Sequence, residues 1–514
     1  MGISVQILRN ILSNWGSIII GVVVQFMMTP FLVHRLGDTQ YGIWILIMNF
    51  TGFLGLFDFG LSGSVVKYVA EFKAKKDVEA LNSVCSSSFF MYVTMGFAAL
   101  IASVVIAFGF LPSFKIPLEE ISSARWVTVI IGLQVFMSFL SVFFTGFMRG
   151  MQRYDHVAAI SLTLFIIRSI IIVALVLMGY RLITLAIVQL ASTTVGGAVR
   201  SLYVFRKNPQ LHLSPSLISR EKLFMVVNYS FLLFLYYIAQ RFIFLAGSLI
   251  IGYYLAAAVI VFYSIPQRLV DELRTIVLAT GVFQPTISHL NAKGQNMMIQ
   301  SVLLRGTKYS LMVVLPVAVA YIIVGDAFIS LWMGPKYSAE CYWVLVILTC
   351  AIVAHISQFT SIQILQGISR HGGTAYITVM EGAANFALSL LLVKHYGIIG
   401  VAMGTLIPML FFNIIVIPWY TCRVTGCSPT RYIGEGMLLP SVPAVVFGLI
   451  LHFASGAVRI NSWMEFILVL TPSLCAYAVC AWYLCLSKTE RVNRLKDLAA
   501  VVSTLWLRVE KTVP

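Results

Sequence analysis

Ala158-Ala159-Ile160-Ser161-Leu162-Thr163-Leu164-Phe165-Ile166-Ile167-Arg168-Ser169-Ile170-Ile171-Ile172-Val173-Ala174-Leu175-Val176-Leu177-Met178 is one apolar run with a single charged side chain at its centre. As an α-helix rising 1.5 Å per residue, it is long enough to cross about 30 Å of hydrocarbon. A helix also satisfies its own backbone polar groups, which lipid cannot do for it. Comparable runs recur along the whole chain, which is 60% hydrophobic and 11% charged over 514 residues. Soluble domains carry about 25% charged residues, and no soluble fold of this length could cover so much apolar surface with so few charges. The runs are continuous rather than alternating in ~10-residue pieces, which excludes a transmembrane β-barrel. The expectation is an all-α polytopic membrane protein.

Fourteen candidate spans begin near residues 11, 41, 84, 125, 155, 182, 226, 253, 307, 341, 374, 398, 436 and 464. The eighth is too long for one simple crossing, and its far end is expected to project past the bilayer. Of the 35 Lys and Arg residues, 24 fall in the two tails and the even-numbered loops, and 7 in the odd-numbered loops. Basic loops stay cytoplasmic, so both termini are expected inside, as an even number of spans requires. Arg9 precedes a long apolar run with no small-residue cleavage site after it, which reads as an uncleaved first span rather than a signal peptide. The longest connections, roughly 206–225 and 284–306, fall on the cytoplasmic side.

An internal repeat is visible at an offset near 217 residues. Gly150-x-x-Arg153 corresponds to Gly367-x-x-Arg370, Ala74-Lys75 to Ala292-Lys293, the pair Tyr41/Asp58 to Tyr254/Asp271, and Gln25/Gly37 to Gln240/Gly252. A displacement of six spans keeps the orientation, so the repeat is parallel. It divides the chain into an N-lobe at 1–207, a cytoplasmic linker at 208–222, a C-lobe at 223–421, and two further spans with a tail at 422–514. Two six-helix lobes plus two C-terminal helices is an arrangement suited to alternating access.

Other classes fit less well. The net charge of +16 is spread over loops with no basic domain for nucleic acid. Eight cysteines show neither a disulfide framework nor paired metal-ligand spacing and read as small apolar fillers. There is no GxxxxGK[ST] loop for ATP. A membrane glycosyltransferase or polymerase would need a carboxylate constellation on a sizeable outer loop, and the outer loop at 110–124 offers only Glu119-Glu120.

Several motifs resemble a known family. Asn14 with Pro30-Phe31-Leu32-Val33-His34-Arg35-Leu36-Gly37 and Tyr41-Gly42-Ile43-Trp44 resembles the first-span ending of polysaccharide-biosynthesis flippases. Phe57-Asp58-Phe59-Gly60-Leu61-Ser62 with Val66-Lys67-Tyr68-Val69-Ala70 is similar to their second-span ending, and Tyr396-Gly397-Ile398-Ile399-Gly400-Val401-Ala402 to their turn between spans eleven and twelve. The chain resembles the Wzx-type lipid-linked oligosaccharide flippases of the multidrug/oligosaccharidyl-lipid/polysaccharide exporter superfamily. The resemblance implies a non-enzymatic protein of the bacterial inner membrane. Its cargo would be undecaprenyl-pyrophosphate-linked oligosaccharide, moved from the inner to the outer leaflet for O-antigen or related polysaccharide. The implied partners are that glycan lipid, membrane lipids and other polysaccharide-assembly proteins, with no nucleic acid. No cofactor is implied beyond a coupling ion, H⁺ or Na⁺. The acidic residue that relatives often carry near Gln240-Arg241 is absent here.

Charges inside spans are costly and mark a cavity, a partner or a pathway. Arg168 and Arg241 lie too deep to reach either surface easily. A guanidinium fork matches phosphate oxygens with two parallel hydrogen bonds, so both are candidate pyrophosphate contacts; packing against an internal carboxylate is the other reading. Arg268, Arg35, Gln25, Gln240 and Asn385 complete the candidate substrate set. In span eight, Arg268 is spaced to meet Asp271 and Glu272 on one helix face with Arg274 nearby, either a self-neutralised cluster or a cytoplasmic gate. Asp58 and Glu381 are candidates for ion coupling, with pairing to an arginine of another span as the alternative. A multidrug or cation antiporter of the same superfamily would want an excess of acidic cavity residues, and a non-transporting scaffold leaves the buried charges unexplained.

Overall fold

A computed structural model describes residues 3–58, 61–221, 231–278 and 283–492; the basic tail beyond them lies outside the described residues. Regular structure among the described residues is helical, with no strand. The principal helices are α1 (Ile3–Leu54), α2 (Leu61–Lys75), α3 (Val78–Val105), α4 (Leu118–Gly150), α5 (Tyr154–Leu177), α6 (Leu182–Lys207), α7 (Phe231–Tyr254), α8 (Ile260–Leu278), α9 (Phe283–Ala292), α10 (Asn296–Met333), α11 (Pro335–Ser357), α12 (Phe359–Gly367), α13 (His371–Leu410), α14 (Ile417–Thr425), α15 (Leu439–Ala457) and α16 (Trp463–Leu484). Among the described residues, eleven stretches are long and apolar enough to cross a membrane, and this is a multi-pass membrane protein. Two of those stretches hold two spans each. The backbone turns at Gly37 (φ 80°) inside α1 and at Gly397 (φ 57°) inside α13, conformations that cost little only without a Cβ. Helix α8 carries Arg268, Asp271, Glu272 and Arg274 and is not among those stretches.

The chain forms two compact units, Met1–Arg268 with His371–Pro408, and Leu269–Arg370 with Met409–Pro514.

The internal repeat is written in the helix ends. Helix α2 closes with Lys76 N–H to the Lys73 carbonyl and Asp77 N–H to the Phe72 carbonyl; α9 closes with Gly294 to Asn291 and Gln295 to Leu290. Both are Schellman caps, displaced by 218 residues. Likewise α4 closes with Gln152 to Arg149 and Arg153 to Met148, and α12 with Ser369 to Gln366 and Arg370 to Leu365, displaced by 217. The left-handed residues Lys76 (φ 57°), Gln152 (φ 60°) and Ser369 (φ 60°) sit at these caps without being glycines, and Gly294 (φ 66°) takes the fourth place. The Gly-x-x-Arg match in the sequence is therefore the tail of a repeated cap.

In the first unit, α3 and α4 bury Tyr92, Phe143 and Phe147 completely, with Phe139 beside them. Helix α2 approaches α4 at two glycines: a Cβ at Gly146 would lie 3.2 Å from Val65, and one at Gly150 would lie 2.8 Å from Val69. Small residues here allow the close helix contact. The connection after α6 is tied along α3. Asn82 Nδ2 donates to the Gln210 carbonyl at 3.0 Å and Asn82 Oδ1 accepts from His212 N–H at 3.1 Å; Ser87 accepts from Ser219 N–H at 3.1 Å. In the second unit, Phe447, Leu451 and Val469 of α15 and α16 pack on α10, and the Tyr477 hydroxyl donates to the Met312 carbonyl at 2.6 Å. The segment read from sequence as the connection 284–306 instead folds as α9 and the first turns of α10. Large apolar side chains such as Ile170, Phe453 and Met464 are exposed, as a lipid-facing surface requires. None of the eight cysteines forms a disulfide.

Candidate functional site

Arg168 sits in the middle of α5 and donates to the side-chain oxygen of Gln189 on α6 at 2.7 Å, with the Phe165 ring 5.4 Å away. The Gln189 carbonyl accepts from Thr193 Oγ1 at 2.9 Å, and Thr193 accepts from Gln134 Nε2 on α4 at 3.0 Å. One end of this polar chain is Arg168. The other, Gln134, lines a cavity of about 380 Å³ with Thr51, Asp58, Ser62, Thr145 and Arg149. Asp58 lies beside Tyr92 and Ser62. Asp58 and the Tyr92 hydroxyl are buried and face each other, with Ser62 the other polar neighbour of the carboxylate. A carboxylate charge taken out of water with only neutral partners is costly, and a proton or a small cation bound there would lower that cost. Among the described residues no group of three or more His, Cys, Asp and Glu side chains is placed to hold a metal ion. The cavity's remaining oxygens are hydroxyls and an amide, which suit a proton or an alkali cation.

A second group gathers where α1, α7 and α13 meet. Phe242 of α7 packs edge-on against Phe53 of α1 (centroids 5.3 Å apart) and against Phe386 of α13 (5.6 Å). Gly382 of α13 lies so near α7 that a Cβ there would sit 3.2 Å from the Ala239 carbonyl oxygen. This close approach brings Glu381 and Asn385, 1% and 2% exposed, to the stretch bearing Gln240 and Arg241. The Arg241 guanidinium reaches across α1 beside Gly52, and the residue is exposed while Gln240 is half-buried. Asn385 Nδ2 is a buried donor with no hydrogen-bond partner among the described residues.

The remaining candidates are spread out. Arg268 lies within electrostatic range of the Tyr41 phenol. Arg35 is exposed two residues before the Gly37 turn, and Gln25 is half-buried, its carbonyl accepting from Thr29 at 2.9 Å. In α8, Asp271 forms an ion pair with Arg274 at 3.4 Å, and Glu272 faces Tyr321.

Sequence reading missed Gln134, Gln189 and Thr193, although each is a polar group deep in an apolar run. It also counted Arg200 with the loop charges; Arg200 lies inside α6, where its guanidinium donates to Ser141 at 2.9 Å and Ser161 at 2.8 Å.

A family model described as polysaccharide biosynthesis protein matches residues 7–291, more than half of the chain. The chain belongs to the polysaccharide biosynthesis protein family. Within the range of that match lie Arg168, Arg241 and the Asp58 cavity. This polysaccharide biosynthesis protein is 22% identical to the probable flippase AglR of Haloferax volcanii, across 94% of this chain and 97% of that one. It is 21% identical to a putative O-antigen transporter of Shigella flexneri, across 82% of this chain and 99% of the other. Its fold is that of the lipid II flippase MurJ in an inward closed conformation, with a TM-score of 0.71 and 14% identity over 92% of this chain and 98% of that one.

Proposed function

We propose that this protein is a flippase that carries undecaprenyl-pyrophosphate-linked oligosaccharide from the inner to the outer leaflet of the bacterial inner membrane by alternating access, with both termini cytoplasmic. The observation that carries the reading is Arg241: an exposed arginine in the middle of a spanning helix, at a junction where Glu381 and Asn385 are buried and Gln240 is half-buried. A guanidinium there suits a pyrophosphate, because its donors match phosphate oxygens in pairs and gain strength where water is scarce. Membership of a polysaccharide biosynthesis family and relatives named as a flippase and an O-antigen transporter point to the same cargo class. Arg168 and Arg268, with Arg35, Gln25, Gln240 and Asn385, would form the rest of the substrate path. Asp58 and Glu381 would bind the coupling ion, H⁺ or Na⁺, and Asp271, Glu272 and Arg274 would form a gate. The protein would act as a transporter rather than as an enzyme.

The test is deletion of the gene, followed by sizing the lipid-linked intermediates and assigning each to a leaflet. Completed units accumulating in the inner leaflet are the expected result. Accumulation of a unit lacking one sugar would instead make the protein a transferase.

A further inference from the structure

In the second unit, the end of α16, the start of α10 and the helical turns preceding α15 surround a cavity of about 490 Å³. Four basic side chains face it, Arg305, Lys308, Arg431 and Arg491, against two acidic ones, Glu435 and Glu490. The acids are already committed. Glu435 accepts from Arg431 at 2.9 Å. Glu490 accepts from Lys308 at 3.2 Å, from the Tyr309 hydroxyl at 2.9 Å and from Ser487 N–H at 2.9 Å. Lys308 also donates to the Cys485 carbonyl at 2.8 Å. Arg305 forms an ion pair with Glu490 at 3.6 Å, with its side chain 61% exposed. Among the described residues, Arg491 donates to the Leu486 and Tyr483 carbonyls, at 2.9 and 3.0 Å. Four basic side chains against two acidic ones leave the described lining with two positive charges in excess, and Arg305 and Arg491 carry the guanidinium groups that no acid fully engages.

The other wall is apolar, formed by Leu304, Leu439, Leu484 and Leu486. The apolar span of α16 ends at Leu484, so the cavity lies where a spanning helix leaves hydrocarbon and meets water. A ligand fitting this place has an anionic head and an apolar body.

We infer that this cavity binds the phosphate of an anionic membrane phospholipid, with Arg305 and Arg491 gripping the phosphate oxygens and the leucine wall lying along the first part of the acyl chains. Basic pockets between spanning helices favour such head groups, and the guanidinium fork matches a phosphate diester. The site is separate from Arg241 and the Asp58 cavity, and it stands whether or not the cargo is the one proposed above.

Native mass spectrometry of the full-length protein, titrated with phosphatidylglycerol, phosphatidylcholine or inorganic phosphate, tests this. Wild-type protein should retain phosphatidylglycerol in preference to phosphatidylcholine, with apparent affinity falling about fivefold for each of Arg305→Gln and Arg491→Gln. Glu435→Gln, which frees the charge of Arg431, should raise retention and keeps the test open if the arginine variants fail to fold. Equal retention of the two lipids, or no change in any variant, would overturn the inference. Displacement of phosphatidylglycerol by inorganic phosphate at matching concentration would assign the site to a soluble phosphate and overturn the lipid.

Discussion

Arg168, at the centre of a spanning helix, is held by the uncharged side chain of Gln189 at 2.7 Å. Burying a guanidinium beside an amide leaves its charge uncancelled, so the arginine keeps its electrostatic reach while its geometry is set. Through Thr193 and Gln134 the same polar chain continues to the cavity of Asp58.

Removing the partner should therefore cost more than removing the pair. Gln189→Leu is expected to destabilise the protein by about 1 kcal/mol or more, since it leaves a half-buried charged donor in the middle of a span unsatisfied. Adding Arg168→Leu should recover part of that loss. Thermal unfolding of the two variants in detergent measures both, and equal losses would mean that Arg168 does not depend on Gln189.

Arg241→Ala should abolish flipping while the protein remains at its normal level in the membrane. Arg241→Lys keeps the charge without the fork and should give an intermediate rate. A leaflet-resolved assay of the lipid-linked glycan reads the series, and unimpaired flipping by a well-expressed Arg241→Ala protein would remove this residue from the substrate path.

Gly150 is expected to tolerate no side chain. Even the Cβ of alanine would meet Val69 at 2.8 Å, so Gly150→Ala should cost about 1–3 kcal/mol by overpacking the contact between α2 and α4. Gly63, in α2 with nothing within 4 Å of a Cβ, serves as the comparison; Gly63→Ala should be neutral or stabilising by about 0.4–1 kcal/mol. Melting temperatures of the two variants separate the effects.

Glu490 predicts a pH effect of definite sign. Burial pushes its carboxyl upward, but the Ser487 N–H, the Tyr309 hydroxyl and Lys308 outweigh that and bring it down from 4.5 to about 2. A depressed folded-state value means the unfolded chain takes up the proton first. The contribution is thus complete above about pH 4.5 and is lost as the pH falls toward 2. Melting curves between pH 2 and 6 should show Glu490→Gln less stable than the wild type at pH 6, with the gap narrowing below pH 4.5 and closing toward pH 2.

Much of the architecture was legible beforehand. Apolar runs of bilayer length, bounded by charge clusters, marked an all-helical multi-pass membrane protein, and the Gly-x-x-Arg pair at 150 and 367 falls on the matching caps at Gln152 and Ser369. The fold of the segment 284–306 was not legible, because α9 is short and polar enough to pass for a loop. Nor were Gln134, Gln189 and Thr193, since an amide inside an apolar run says nothing of which helix lies opposite.

That this chain crosses the membrane many times, and where, follows from composition and spacing, because the price of lipid exposure is set residue by residue along each helix. Which partner each mid-helix charge takes was decided only when the helices packed. Arg168 meets Gln189, Arg200 meets Ser141 and Ser161, and Phe242 draws α1 and α13 onto the stretch bearing Arg241. Those pairings depend on side-chain directions across neighbouring helices, which no pattern along one helix contains.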